Sequence, residues 1–280
     1  MELKRVVVTG LGALTPIGNN VPDFWSALLS GVSGAGPITR FDTSKFKTQF
    51  ACEVKGFDAN QHFDRKELKK HDLYTQYAIV AARQAILDSN IDKEKEDLDR
   101  IGVIFGVGIG GFFTFAKGDG TPRFSPFFIP KMIADIACGH ISMEYGFRGL
   151  NFACVSACAS GTNALTNAYN HIRLGKADII VAGGAEAPIT QGGVGGFNSM
   201  HAISTRNDSP QTASRPFSKS RDGFVMGEGA GCLVLEDLDH ALARGANILC
   251  EVVGGGLSAD AYHLTATHPD GLGAKLVMRR

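Results

Sequence analysis

The sequence predicts an α/β fold built on a largely parallel sheet, and three observations carry that expectation. Apolar runs rich in β-branched residues recur at 3–9, 101–106, 178–184, 229–235 and 248–257, continuous enough for strands covered on both faces. Between them lie stretches with helical spacing, so strands alternate with helices on the scale of a layered protein. Glycine makes up 35 of 280 residues, against an ordinary share of about 7 per cent, so many turns must bring backbone close to backbone or to a ligand.

Taken in order, the run at 3–9 ends at Gly10 and opens the core sheet. Asn20 and Pro22 then start a short helix through Phe24, Trp25, Leu28 and Leu29, closed by Gly31. Residues 32–60 show no sustained period and read as a long surface excursion. A helix over 73–89 carries Leu73, Tyr77, Val80 and Leu87 on one side and Ile79, Ala82 and Ile86 on another, so little of it meets water. The strand at 101–106 runs into GVGIGG at 106–111, which matches a dinucleotide fingerprint in spacing. That reading is set aside because the glycines lead into Phe-Phe-Thr-Phe and Gly-Asp-Gly-Thr-Pro rather than directly into a helix with an acidic residue after the next strand. Residues 130–145 form a helix stopped by Gly146, and a further helix over 236–244 ends at Gly245.

The stretch NFACVSACASGTN at 151–163 organises the chain: a short apolar strand, a tight Ser-Ala-Cys turn, and a helix reaching Leu174. Cys158 falls at that junction, followed by Ser160, Thr162 and Asn163, residue types that serve helix starts. Free backbone N–H groups and the positive end of a helix dipole favour a thiolate there by up to about 2 kcal/mol, and the same groups suit an oxyanion on a thioester carbonyl. A small buried cysteine packing beside its helix is the plainer alternative. One side of the following helix is small, with Ala159, Gly161, Ala164 and Ala168, which allows close approach to neighbouring backbone.

Composition excludes several functions. Lys plus Arg and Asp plus Glu are each 28, so no global field draws the chain to nucleic acid or a membrane surface. Six cysteines, at 52, 138, 154, 158, 232 and 250, form no CxxC pair and no zinc spacing, which fits a reduced cytoplasmic protein without a metal site. The N-terminus reads straight into a strand, so no signal peptide is expected, and the sequence shows no apolar run of membrane length.

The chain resembles the β-ketoacyl-[acyl-carrier-protein] synthases, most closely the elongating type II enzymes. The resemblance runs from VVVTGLGALTPIGN through GVGIGG, SPFFIP, VSACASG and VAGGAEA to STRNDSPQTASRPFSKSRDGFVMGEGAG at 204–231 and SADAYHLTA at 258–266. It implies a thiolase-like fold layered αβαβα, with an N-terminal half over 1–245 and the start of a C-terminal half over 246–280, so that the second half is largely missing from this chain. The central helix would be the one after Cys158. The implied reaction is a decarboxylating condensation of an acyl-enzyme with malonyl carrier protein, without a cofactor, in a homodimer. Cys158 would be the acyl acceptor with its own N–H in the oxyanion hole, Ile109 and Phe197 would line the acyl pocket, and Thr265 would meet the pantetheine arm.

Arg65-Lys66-Glu67-Leu68-Lys69-Lys70 would gather its bases on one side of a helix, ordinarily a solvated face. The resemblance makes Lys66, Lys69 and Lys70, with Arg123, a docking site for the acidic acyl carrier protein. His201 stands where related enzymes carry an Arg, which makes part of that charge depend on pH. The connection over 114–120 is shorter than is usual in the family. Two catalytic histidines, a lysine and a glycine-rich loop would lie beyond Arg280; His263 and His268 do not match those histidines. A coenzyme A-dependent thiolase and a non-catalytic partner subunit of the same fold are the alternatives, the first opposed by the 204–231 segment and the second by the presence of Cys158.

Overall fold

A computed structural model describes residues 3–116 and 123–280. Its strands are β1 (Val6–Leu14), β2 (Gly36–Pro37), β3 (Phe50–Ala51), β4 (Ile101–Gly106), β5 (Asn151–Cys154), β6 (Ile179–Glu186), β7 (Gly229–Asp237) and β8 (Cys250–Val252). The helices are α1 (Val21–Leu29), α2 (Arg65–Leu68), α3 (Leu73–Asp88), α4 (Phe112–Ala116), α5 (Phe128–Met132), α6 (Ile136–Tyr145), α7 (Ser160–Arg173), α8 (Gln191–Ser199), α9 (Leu238–Ala243) and α10 (Leu272–Arg279).

Six strands form one sheet in the order β5-β4-β6-β7-β1-β8, and β2 pairs with β3 apart from it. Only β4 with β5 and β4 with β6 are parallel; β6 with β7, β7 with β1, and β1 with β8 are antiparallel. The sheet is therefore mixed, where the apolar runs suggested mostly parallel pairing. Continuous apolar runs report burial on both faces, not strand direction.

Side-chain alternation divides the core between the two faces. Val103 and Phe105, Val181 and Val234 join Tyr74, Tyr77, Ala78, Ala81 and Ala85 of α3 on one side. Ile104, Ile180, Ala182, Val6, Val8 and Leu235 join Ala164, Ala168 and Ile172 of α7 on the other. The described layers are thus helix, sheet, helix. Thr162 and Asn170, on the far face of α7, are exposed.

Several boundaries differ from the sequence reading, each for a tertiary reason. β1 continues past Gly10 to Leu14, with a register shift between Val8 and Gly10, because α3 lies against it: a Cβ at Gly12 would collide with the Ala81 carbonyl. Residues 32–60 are not wholly a surface excursion, since Ile38, Phe50 and Ala51 are buried around the β2–β3 pair. The helix expected over 130–145 breaks between α5 and α6, where the Met132 carbonyl accepts the Gly111 N–H (3.1 Å) and the Ile133 carbonyl accepts the Tyr74 hydroxyl (2.7 Å). The strand expected over 248–257 is confined to β8, because Val252 pairs with Val6, where β1 begins, and among the described residues Val253 has no partner strand. The helix expected through Lys70 stops at Leu68, since α3 already starts from its N-cap Asp72.

At the far end of β7, the buried carboxylate of Glu236 accepts from Thr9 Oγ1 (2.8 Å) and from Arg244 Nε (2.6 Å) and NH2 (2.7 Å), and lies 2.7 Å from His240 Nδ1. Burial alone would raise this carboxyl, but the hydrogen bonds from Arg244, His240 and Thr9 outweigh it and hold it below its ordinary 4.5. A group depressed on folding contributes stability that is full above its unfolded value and lost as pH falls through the folded one. Thermal unfolding followed from about pH 5 to pH 3 should therefore show a falling midpoint whose slope is shallower in Glu236→Gln.

Candidate active site

The candidate site begins where β5, an edge strand held by β4 alone, ends at Cys154. A 3₁₀ turn over Ala157–Ala159 then carries Cys158 directly into α7. Ala157 adopts φ +51, a left-handed conformation that costs a non-glycine residue energy and is kept only where the surroundings impose it. Ser160 and Asn163 impose it: Ser160 Oγ donates to the Ala157 carbonyl (2.7 Å) and accepts the Ser156 N–H (2.9 Å), while Asn163 Nδ2 donates to Ser156 Oγ (2.6 Å). These side chains brace the turn rather than cap the helix, whose N-cap is Ala159 with no capping side chain. Ala159 N–H closes the turn on the Ser156 carbonyl (3.2 Å), and the Cys158 N–H takes part in none of these bonds.

Cys158 is exposed, not a buried packing residue. Burial pushes up the thiols of Cys52, Cys154, Cys138 (to about 12) and Cys232. Cys250, on β8, is the other exposed thiol among the described residues.

The base of the turn rests on glycine. A Cβ at Gly106, the last residue of β4, would collide with the Ser160 backbone, so the start of α7 sits directly on the strand end. The GVGIGG loop leaves from that point and, contrary to the sequence reading, does enter a helix, the five-residue α4. Its amides are nevertheless occupied from within the protein: the Glu186 carboxylate accepts from the N–H groups of Gly108 (2.8 Å), Ile109 (2.8 Å) and Gly110 (3.2 Å). Burial raises this carboxyl, partly offset by those three N–H groups, and the nearby Asp72 pushes it the same way. Sequence reasoning quoted Glu186 within VAGGAEA without a role for it; a lone acidic residue at a strand end gives no signal of partners 76–78 residues away.

Ile109, about half exposed, stands on this loop, whose Gly108 lies against the Ala157 carbonyl of the Cys158 turn. The Phe112 ring lies against Gly192 and Gly193 and so links the loop to α8, which bears Phe197. Phe197 is half-buried and meets Phe224 edge to face at 5.2 Å. Thr265 sits apart on an exposed stretch, its N–H donated to His263 Nδ1 (3.2 Å), and among the described residues no hydrogen bond joins it to the Cys158 turn. A cleft of about 620 Å³ near it, lined by Ser258, Asp260, His268 and Val277, does not include Cys158.

Lys66, Lys69, Lys70, Arg123 and His201 are all exposed. Lys66 lies on α2 under a capping box made by Asp64 and Glu67, and Lys69 is its C-cap, so the bases share a turn rather than a continuous helix face. His201 follows α8 with φ +52. Residues 117–120 of the shortened connection lie outside the described residues.

The segment 204–231 gains a physical account in Glu228, which sequence reasoning did not single out. Its side chain is fully buried and receives both Arg40 guanidinium nitrogens NH1 and NH2, the Tyr77 hydroxyl (3.1 Å) and the Val54 N–H (2.9 Å). One carboxylate thereby ties β7's lead-in to α3 and to the chain around β3.

Residues 3–241 match the family model for the β-ketoacyl synthase N-terminal domain. The chain is 49% identical over 282 residues to 3-oxoacyl-[acyl-carrier-protein] synthase 2 of Staphylococcus aureus (strain COL), covering 99% of this chain and 68% of the relative. A crystal structure of a β-ketoacyl synthase from Burkholderia phymatum STM815 superposes with TM-score 0.87 at 32% identity, covering 99% of this chain and 70% of that one. A type II polyketide acyl carrier protein in complex with its ketosynthase, bound to the hexaketide, gives TM-score 0.86 at 31% identity, covering 99% of this chain and 69% of that one. A domain match over most of the chain, and a fold shared from β1 to α10 with an exposed cysteine at the start of α7, establish that the chain belongs to the β-ketoacyl synthase family.

Proposed function

We propose that the protein is a 3-oxoacyl-[acyl-carrier-protein] synthase in which Cys158 takes up the growing acyl chain. The observation that carries this reading is the exposure of Cys158 on a braced turn at the start of α7, in a chain of this family. The Cys158 thiolate attacks the thioester carbonyl of the acyl carrier protein; a new C–S bond forms, the pantetheine C–S bond breaks, and the departing thiolate takes a proton. The Cys158 N–H and the first turn of α7 face the oxygen that becomes negative. Malonyl carrier protein then loses CO2, its freed carbon nucleophile attacks the Cys158 thioester, and 3-oxoacyl carrier protein leaves as the Cys158 thiolate is restored. Neither metal nor nucleotide takes part. Incubation with acyl and malonyl carrier protein should release CO2 and 3-oxoacyl carrier protein; faster loading of Cys158 from acyl-coenzyme A than from acyl carrier protein would instead make it a thiolase.

Lys66, Lys69, Lys70 and Arg123 dock the acidic carrier protein, with His201 adding a smaller contribution. Exposed charges of this kind act through encounter rate and are screened by salt over about 10 Å at 0.1 M. Replacing the three lysines with Glu should lower transfer from carrier protein roughly tenfold or more at low salt and leave reaction with a small thioester unchanged. Unaltered transfer would return them to the role of a solvated face. Thr265 meets the pantetheine arm, and Ile109 and Phe197 wall the acyl chain. A homodimer in the cytoplasm belongs to the same reading; the six free cysteines suit a reducing compartment, and the molar mass in solution checks the dimer. Among the described residues no helix is long and apolar enough to cross a membrane.

A further inference from the structure

Three consecutive backbone N–H groups converging on one carboxylate form an anion nest, and here the nest is filled by Glu186. Gly108, one of the three donors, lies between that carboxylate and the nucleophile's turn. The position a Cβ would take on Gly108 lies 2.8 Å from Glu186 Oε2 and 3.5 Å from the carbonyl of Ala157, the residue before Cys158. Glu186 therefore holds the loop that carries Ile109 at Gly108, the point where that loop meets the turn that carries Cys158. Farther along that segment a second buried carboxylate, Asp72, accepts the Thr114 N–H (2.6 Å), so the stretch between Gly108 and Thr114 is tied down at both ends.

We propose that Glu186 is a specificity-positioning residue: by clamping the amides of 108–110 it fixes Ile109 relative to Cys158 and thereby sets which acyl chain lengths the site accepts. This rests on the reading of Cys158 as acyl acceptor and of Ile109 as a wall of the acyl pocket. Glu186 touches neither the acyl chain nor the reacting sulfur; it acts through the loop. A glutamine of the same shape offers one acceptor oxygen and one NH2, so at least one of the three N–H groups then faces a donor and the loop is released without opening a hole.

The test uses the purified full chain, with butanoyl and tetradecanoyl carrier protein as acyl donors and iodoacetamide as a probe of the thiol alone. Because one methylene gained or lost in an apolar pocket is worth roughly 10- to 200-fold, Glu186→Gln should change the tetradecanoyl-to-butanoyl ratio of acylation rates by about tenfold, towards uniformity. Iodoacetamide alkylation of Cys158 should stay within about twofold, the scatter of independent sites. In an Ile109→Ala background the Glu186 change should no longer alter the ratio, because the side chain it positions is gone. Gly108→Ala, which crowds the carboxylate from the loop side, should reproduce the altered ratio and serves as the second variant. An unchanged ratio in Glu186→Gln, an equal loss of iodoacetamide reactivity, or additivity with Ile109→Ala would each overturn the proposal. Wild-type protein that loads neither donor would instead overturn the reading of Cys158 as acyl acceptor, and this inference with it.

Discussion

Cys158→Ser should lose acyl-enzyme formation and condensation together, by about 10³-fold or more, because a serine hydroxyl at the same place has no base in the turn to ionise it. Intact-mass measurement after incubation with acyl carrier protein should show one added acyl group in the wild type and none in the variant, and peptide mapping should place it on Cys158. The control is Cys250→Ser. Cys250 is also exposed but lies on an edge strand opposite Val8 rather than on a turn that opens a helix, so its loss should leave acylation unchanged. Burial disfavours the thiolates of Cys52, Cys138, Cys154 and Cys232. Equal acylation of Cys154 or Cys250, or turnover retained by Cys158→Ser, would contradict the assignment.

Arg40→Ala should be the most destabilising change outside the apolar core. It would leave the Glu228 carboxylate fully buried without its cation, and breaking a buried pair from one side costs about 3–5 kcal/mol. Against a total stability of about 5–15 kcal/mol, that predicts a fall in the melting midpoint on the order of 10 °C. Arg40→Met combined with Glu228→Gln should recover most of the loss, since the amide oxygen still accepts from Val54 N–H and the Tyr77 hydroxyl while the uncompensated charge is removed. Thermal unfolding of the three proteins decides the matter; equal midpoints for Arg40→Ala and wild type would show that the pair contributes little.

The elements most legible in the sequence are those whose signal is local. β4 coincides with the run at 101–106, α1 starts at Asn20 and stops before Gly31, and α3 shows the all-round apolar pattern of a helix that the structure buries on nearly every side. The junction at Cys158 was legible for the same reason, as a strand, a turn of small residues and a helix lie within thirteen residues. Boundaries failed where another part of the chain intervened. Gly10 looks like a strand end until α3 is packed against β1, and 130–145 looks like one helix until Tyr74 and Gly111 take its carbonyls.

The sequence by itself determined the α/β class and the strand-turn-helix junction at Cys158, because periodicity and turn residues are properties of neighbouring residues; the family came from the resemblance of whole segments such as 204–231, and the choice of Cys158 for the chemistry came with it. Strand direction, the bracing of the Ala157–Cys158 turn, the occupation of the GVGIGG amides by Glu186 and the burial of Glu228 against Arg40 were decided only in the tertiary structure. Each of the last two joins residues more than seventy positions apart. A carboxylate's partners follow from which groups the fold leaves unsolvated beside it, and no local pattern of side chains records that.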